Sequence, residues 1–379
     1  MAGRGPGLDP PPRPVGSAGP QKPGTGATAM IEIIRTHTAL ARHLPAWRRL
    51  AGTHGSPMQD PDWCLAGLRA LHPEAPPHIV LYREGGDLRA VAPLVRVRRH
   101  GVTWLELIGS ARLHEPGDFL FETPGALAEL LAGVRSLGLP LILGRIPADG
   151  PLSRLPGLRP GRILKRRIRS SSAAWIDTRG DVGQLENGVS ARRRYELRRK
   201  RKRCEREGPV RFEIFCPTPE NCDAVWRQAV RVEAAGWKSR KGSALAQQPA
   251  LDAFFRQWLA AMCARGTARF CFMYIGDQCV AMHVGVEHAR RLWIMKLGYD
   301  EAWGRCSPGI LLADATIRHC YARNLEGYEF LGSFEPWQAH WPVQQHALGS
   351  LIVYPLSIRG LAGLGAHIGH VLRNRLATA

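Results

Sequence analysis

Between residues 268 and 297 apolar residues recur at every second position in three short runs. Phe270, Phe272 and Tyr274 mark the first, Val280, Met282, Val284 and Val286 the second, and the third runs from Leu292 to Leu297. A period of two predicts strands, and Gly276-Asp277 and residues 287–290 predict the turns between them. The pattern then changes. After a loop of small, polar and aromatic residues, Ser307-Pro308-Gly309 opens a stretch that predicts a helix to about Arg323. Ser suits the N-cap, and Pro suits the first helical position because its missing N–H has no partner there anyway. A strand, a tight loop and a helix N-terminus present backbone N–H groups and the positive end of a dipole, which suits phosphate. Gly309 has no Cβ to hold a ligand away from the backbone.

The same alternation occurs earlier. Strands are expected at 31–34, 79–83, 88–97, 104–108, 119–121 and 141–146, and helices at 39–50, 61–71 and 126–137. Val91-Ala92-Pro93-Leu94-Val95 follows a Gly turn, as Val280-Ala281-Met282-His283-Val284 does later, and 17 residues separate Ala92 from Gly109 and Ala281 from Gly298. This predicts two copies of one α/β unit. After Gly109 the first copy reads SARLHEPGD, with no Ser-Pro-Gly helix start. Only the second copy is therefore expected to keep a cofactor site. The expected division is a Gly- and Pro-rich tail at 1–29, a degenerate unit at 30–160, a cofactor-binding unit at 161–357 and an amphipathic helix at 358–379. The tail holds seven Gly and seven Pro and too few large apolar side chains to offset chain entropy. Met30, directly before the first strand, is an alternative start. Further helices are expected at 221–235 and 251–264, and a strand at 348–355.

Charge adds a feature that periodicity does not show. Lys plus Arg is 52 against 32 for Asp plus Glu, a formal charge of +20, which favours polyanionic partners. Ten of these cations, with two Glu, crowd residues 192–206, inside an expected helix at 191–207 capped by Ser190. Three roles suit it: nucleic acid or an anionic surface, a funnel for a phosphate-rich ligand, or a solvated helix with Tyr195 and Leu197 packed down. Few stacking aromatics and no nucleic-acid motif rank nucleic acid low. A second basic cluster, Lys165-Arg166-Arg167 with Arg169, precedes a strand near 173–176. Nine Cys, an odd number without C-x-x-C, speak against a disulfide framework or a zinc site, and no metal is expected. A cytoplasmic setting follows. No run of eighteen apolar residues predicts a spanning helix. The final helix is basic and amphipathic, which suits peripheral membrane contact or, as the favoured reading, packing across the second unit.

Three segments carry a family resemblance: GWKSRKGSAL at 236–245, GYDEAWGRCSPGILL at 298–312 and EFLGSFEPWQAHW at 329–341. Together they resemble the CelD-type (BioF-like) group of GNAT acyltransferases, distantly related to the FemABX tandem proteins. The resemblance implies two tandem GNAT-like units, each a mixed sheet flanked by helices. It also implies acetyl-CoA or another acyl-CoA as cosubstrate and an amine or hydroxyl acceptor on a saccharide, cell-envelope precursor or aminoacyl compound. Leu297, Gly298, Arg305, Ser307, Pro308, Gly309, Ile310 and Leu311 would hold the coenzyme. Trp237, Lys238, Arg240, Trp337 and Trp341 would line the acceptor pocket. The chain departs from the group at Gln338, where a cation is common, and at Phe334, where an acid is common.

Acyl transfer needs a base for the acceptor, a donor for the oxyanion and an acid for the leaving thiolate. Tyr299, just past the third strand, is the candidate acid, and Asp300 and Glu335 are candidate bases. Each has a plainer reading: a packed ring, a loop cap and a surface charge. His283, within a strand, reads as a sheet residue, and Cys306 lacks the paired His that a thiol nucleophile needs. The rival reading is a basic protein on a GNAT scaffold that has lost catalysis and binds nucleic acid or an anionic surface.

Overall fold

The computed structural model describes residues 28–155, 163–236, 242 and 244–377. Among the described residues thirteen strands form one sheet. In the first part of the chain lie β1 (Ala29–Ile34), β2 (Pro77–Glu84), β3 (Asp87–Arg99), β4 (Val102–Leu107), β5 (Leu120–Phe121) and β6 (Leu141–Pro147). There follow β7 (Ile163–Asp177), β8 (Val210–Phe215), β9 (Ala268–Ile275), β10 (Gln278–His288), β11 (Arg291–Tyr299), β12 (Gly327–Glu329) and β13 (Gln344–Pro355). The order across the sheet is β1-β2-β3-β4-β6-β13-β7-β12-β11-β10-β9-β8, with β5 beside β3.

Read from its two ends, this order is the same unit twice. Each half has four antiparallel strands, β1–β4 or β8–β11. A fifth strand runs parallel to the fourth: β6 beside β4, and β12 beside β11. Parallel neighbours need a crossover, and a helix supplies it in both halves. It is α3 (Pro124–Ser136) in the first and α7 (Pro308–Ala322) in the second. A helical pair precedes each second strand: α1 (Leu44–His54) with α2 (Pro61–Leu71), and α5 (Cys222–Ala234) with α6 (Pro249–Ala264). The basic helix is α4 (Ala191–Glu205), and α8 (Ile358–Ala377) is the last. The Ala–Gly spacing noted in the sequence falls on the same hairpin of each half, β3–β4 and β10–β11.

The sixth strands are exchanged. β7 follows the first half in sequence but pairs with β12 of the second. β13 ends the second half and returns to pair with β6 of the first. These two strands then pair with each other from Gln344–Trp175 to Pro355–Ile163, so the halves share one unbroken sheet. They also share a core. Trp63 of α2 meets Phe254 and Trp258 of α6 edge-on at 4.8 and 4.9 Å, and Arg265 beyond α6 reaches Asp60 at 2.8 Å. Each edge-to-face aromatic pair adds about 1 kcal/mol beyond the area it buries.

Two expectations differ at this level. The helix expected at 39–50 is broken into His37–Ala41 and α1, with Pro45 in the opening turn of the latter. Pro sits well in a first turn and badly in an interior, so the break falls where the sequence allows it. The last helix packs not on the second half but across β4 and β13 of the joined sheet, because β13 has carried the chain back.

One break in regularity separates the halves. In β3–β4 the register is uninterrupted. In β10–β11, Val284 pairs with Lys296 but Gly285 with Ile294, so Met295 is an extra, bulged residue. Gly285 allows this: a Cβ there would lie 2.3 Å from the Trp293 carbonyl oxygen. Gly285→Ala should therefore destabilise the protein by about 3 kcal/mol, since the clashing atom is backbone and has no rotamer to move into. Urea denaturation measures this, and a loss below about 1 kcal/mol would show that the bulge is soft.

Candidate active site

The site begins where two parallel strands part. β11 and β12 pair only over Arg291–Gly327, Leu292–Tyr328 and Trp293–Glu329. β11 continues to Tyr299. The chain leaving β12 instead follows β7, with the Phe330 and Phe334 N–H groups donating to the Ala174 and Ser172 carbonyls. The bulge at Met295 lies at the parting.

Below the opening lies the start of α7. Residues 301–306 make a tight 3-10 turn, and Pro308 begins the helix as expected. Ser307 does not cap it in the expected way. Its backbone is left-handed (φ 53°, ψ 50°) and its side chain makes no cap bond. Pro308 disfavours right-handed helical geometry in the residue before it, and the preceding turn fixes the Ser307 N–H on the Gly304 carbonyl at 2.9 Å. Pro308 has no N–H, and the Ile310 and Leu311 N–H groups donate to the Ser307 carbonyl at 3.1 and 3.3 Å, so this end offers an anion the Gly309 N–H and the positive end of the helix dipole. Gly309 faces Tyr299, and a Cβ there would come within 3.3 Å of the Tyr299 ring.

The basic helix α4 packs beside this turn. Cys204 donates to the Cys306 carbonyl, Arg203 to the Arg305 carbonyl at 3.0 Å, and Arg305 pairs with Glu207 at 2.8 Å. Leu197 and Cys204 are the buried anchors, whereas Tyr195 is 61% exposed and not packed down. Arg198, Arg199, Arg201 and Lys202 are exposed on this helix, Arg201 bonding Glu205 at 2.9 Å and lying over the Phe212 ring of β8 at 5.9 Å.

Residues 191–339 match the family model described as acetyltransferase (GNAT) domain. The chain carries a GNAT domain. Among solved structures it is similar to FemX (TM-score 0.60, 10% identity, 83% of this chain and 96% of that one). It is also similar to the C-terminal domain of a putative lysylphosphatidylglycerol synthetase from Agrobacterium fabrum (TM-score 0.51, 11% identity, 86% and 96%). A third is a protein of unknown function from Bacteroides thetaiotaomicron (TM-score 0.51, 8% identity, 86% and 99%). At these identities the likeness is one of fold. No curated protein matches in sequence.

Within the GNAT domain the candidate residues divide. Leu297, Gly298 and Tyr299 close β11, and Ser307 to Leu311 form the turn and first residues of α7, so these two sets meet. Arg305 is exposed beside them and bound to Glu207. Asp300 turns the other way. Its carboxylate accepts from the Ala302 N–H at 3.0 Å, and its other oxygen lies 3.4 Å from Gln278 on β10. It borders an outer groove with Tyr274 and Arg231, on the side of β11 away from the parting. Glu335 is exposed at the start of a short 3-10 turn, where its N–H donates to Gln338 at 2.7 Å. Trp341 is buried. It packs with Trp337 and Phe330, and its indole donates to Asp314 of α7 at 3.1 Å, so both tryptophans brace the crossover helix. Trp237, Lys238 and Arg240 lie outside the described residues. The ends of their segment do not: Gly236 abuts the Tyr299 carbonyl, and the Leu245 N–H donates to Glu233, which lies against Gly298. His283 is a buried sheet residue 3.5 Å from the Tyr328 hydroxyl, and burial lowers its pKa to about 3. Cys306 is fully buried, which removes it as a nucleophile.

Sequence reasoning missed the other wall. The first half's loop at 114–118 folds into the parting of β4 and β6. Gly117 N–H donates to the Arg145 carbonyl at 3.2 Å, and a Cβ on Gly117 would meet Leu107 at 2.8 Å. What remains is a cavity of about 20 Å³, room for about one water and not for a coenzyme. The crossover helix there does start Thr123-Pro124-Gly125, a near copy of Ser-Pro-Gly further along than the sequence reading looked. The plugging loop carries two buried carboxylates, of which Glu115 faces the second half. Burial raises Glu115 against the pull of Lys296 on β11 and of Arg145, and its Oε2 is buried without a hydrogen-bond partner. Burial raises Asp118 to about 7, opposed by the Phe119 N–H. Arg145 crosses the seam to Ser171 at 2.8 Å and the Gly332 carbonyl at 3.1 Å. Farther along, Arg291 lies over the Trp175 ring at 4.7 Å, which stacks on His346 at 5.2 Å, and buried Glu329 lies 2.5 Å from the Arg291 guanidinium and 3.4 Å from the His346 ring. Only topology brings these residues together, so no local motif marks them. Among the described residues no cluster of His, Cys, Asp and Glu could hold a metal ion.

Gly309→Asp should weaken coenzyme A binding at least tenfold, through bulk against Tyr299 and like charge against the pyrophosphate. An acid in a first helical turn suits the dipole, so the fold should hold. Calorimetric affinity equal to the parent's would remove the pyrophosphate from this turn.

Proposed function

We propose that the protein transfers an acyl group from acetyl-CoA or another acyl-CoA to an amine or hydroxyl. The acceptor is a saccharide, a cell-envelope precursor or an aminoacyl compound. The observation that carries this is the parting of β11 and β12 directly above the start of α7. An extended pantetheine arm can enter between two parallel strands only where they separate, and the helix N-terminus below it suits the pyrophosphate. In this reading Leu297 to Tyr299 flank the arm, Ser307 to Leu311 take the pyrophosphate, and α4 gathers the anionic cosubstrate. The bulge at Met295 disturbs the strand at the thioester, where a backbone N–H is needed for the oxyanion. Tyr299 gives its proton to the leaving thiolate.

The acceptor enters from the seam, with Trp237, Lys238 and Arg240 on the segment that begins beside Tyr299. A carboxyl group whose pKa burial has raised is a better base for an ammonium acceptor than one fixed as a cap. We therefore place Glu115, steered by Lys296 and Arg145, ahead of Asp300 and Glu335 as the proton acceptor. Peptide and aminoacyl amines stand beside amino sugars as the acceptors to compare. A reducing cytoplasm is the setting of this reading.

The direct test is thiol release from acetyl-CoA with mixed amino sugars and aminoacyl compounds as acceptors. Acceptor-dependent turnover is expected, with kcat at least tenfold lower in Tyr299→Phe and KM for acetyl-CoA little changed. No turnover with any acceptor, despite coenzyme binding, would favour the non-catalytic reading. The exposed cations of α4 sharpen the choice. Replacing Arg198, Arg199, Arg201 and Lys202 by Gln should raise KM for acetyl-CoA several-fold, most at low salt, and leave DNA affinity low throughout. A variant that lost strong DNA binding and kept its kinetics would make nucleic acid the primary partner.

A further inference from the structure

The last helix, α8, is held tightly on one face and left bare on the next. Its inner face meets the sheet through Gly363, where a Cβ would lie 2.7 Å from Pro140, and through His367, which bonds the Tyr354 hydroxyl. His370 stacks on His100 at 3.9 Å. The helix is therefore fixed in rotation. Five large apolar side chains point away from this contact: Ile358 (90% exposed), Leu361 (51%), Ile368 (51%), Leu372 (54%) and Leu376 (79%). At 3.6 residues per turn they fall within an arc of about 80°. They form one stripe along a helix of 20 residues. Arg359 and Arg373 lie on one side of the stripe and Arg375 on the other, and the helix contains no Asp or Glu. Beside it, Leu164, Leu364 and Val371 line an apolar groove of about 270 Å³ that is continuous with Ile368 and Leu372.

We propose that this face of α8 docks in plane on an anionic lipid surface, with the stripe among the acyl chains and the arginines at the headgroups. A soluble surface does not favour five exposed Leu and Ile in one line, whereas an interfacial helix requires them. The flanking charge selects the occupant. A second copy of the chain would set Arg359, Arg373 and Arg375 against their own counterparts. Residues 1–27 hold only Met1, Leu8 and Val15 as large apolar side chains, too few to cover the stripe. An anionic bilayer satisfies both components. Among the described residues no helix is long and apolar enough to cross a membrane, so docking is confined to the surface. The proposal stands apart from the acyl transfer reaction, because none of the residues assigned to that reaction lies on α8.

The test is cosedimentation of the full chain with vesicles of phosphatidylcholine alone or mixed with phosphatidylglycerol, at about 0.15 M salt. The parent should partition onto the anionic vesicles at least tenfold more strongly than onto the neutral ones. Ile368→Ser with Leu372→Ser leaves every charge in place and should lower that partition about tenfold or more. Arg359→Gln with Arg373→Gln should lower it on anionic vesicles alone. Thiol release without vesicles should be unchanged in both variants, which separates failure of docking from failure of the catalytic reading. Parent-like partition of the Ser pair would overturn the proposal, because attraction would then rest on the general positive charge. Equal binding to both vesicle types would also overturn it. So would a dimer in light scattering that the Ser pair dissolves, which would give the stripe to a second copy.

Discussion

The ladder between β7 and β13 governs the rest of the structure. Each strand completes the half to which it does not belong in sequence, and their mutual pairing makes one sheet of two. A helical pair from each half then meets over one face through Trp63, Phe254 and Trp258. Neither half can shift without breaking backbone pairing or opening a shared aromatic core. The seam is thereby fixed, and with it the approach of Glu115 and Arg145 from one half to Lys296 and Gly332 from the other.

Two copies of one topology have diverged at a few positions, and the differences are physical. Both have a parallel pair that parts above a crossover helix. In the first half a loop fills the parting through Gly117. In the second no corresponding loop of the described residues enters, the hairpin carries a bulge that Gly285 permits, and a left-handed Ser307 sets the first turn of α7 against Tyr299. The basic helix is bound through Cys204 and Arg203 to that same turn, which ties its charge to the helix end rather than to a free surface.

Much of this was legible in the sequence because it is written in local patterns. Period-two runs located β9, β10 and β11, Ser-Pro-Gly located the start of α7, and the repeated Ala–Gly spacing located the duplication. Ser190 capped α4 as its type suggests. The exchange of β7 and β13 was not legible, since a strand's sequence does not state which neighbour it takes. Nor was the seam, because Glu115, Arg145, Arg291, Trp175 and His346 come from separate strands and loops. Trp337 and Trp341 read as pocket residues because aromatic residues serve pockets and cores alike. Only the hydrogen bond to Asp314 and the contact with Phe330 show them bracing α7. Asp300 was ambiguous for a related reason: a carboxylate after a strand can cap a turn or serve a site, and here it caps.

The central claim is that one half of a duplicated sheet holds the cosubstrate while the other has closed its equivalent slot. Hydrogen–deuterium exchange with and without coenzyme A tests this directly, because it reports both partings in one experiment. The account predicts slowed exchange at residues 294–311, in the strand end and the first turns of α7, and no change at residues 105–127. Protection at 105–127 in place of 294–311 would contradict it and assign the cofactor to the first half.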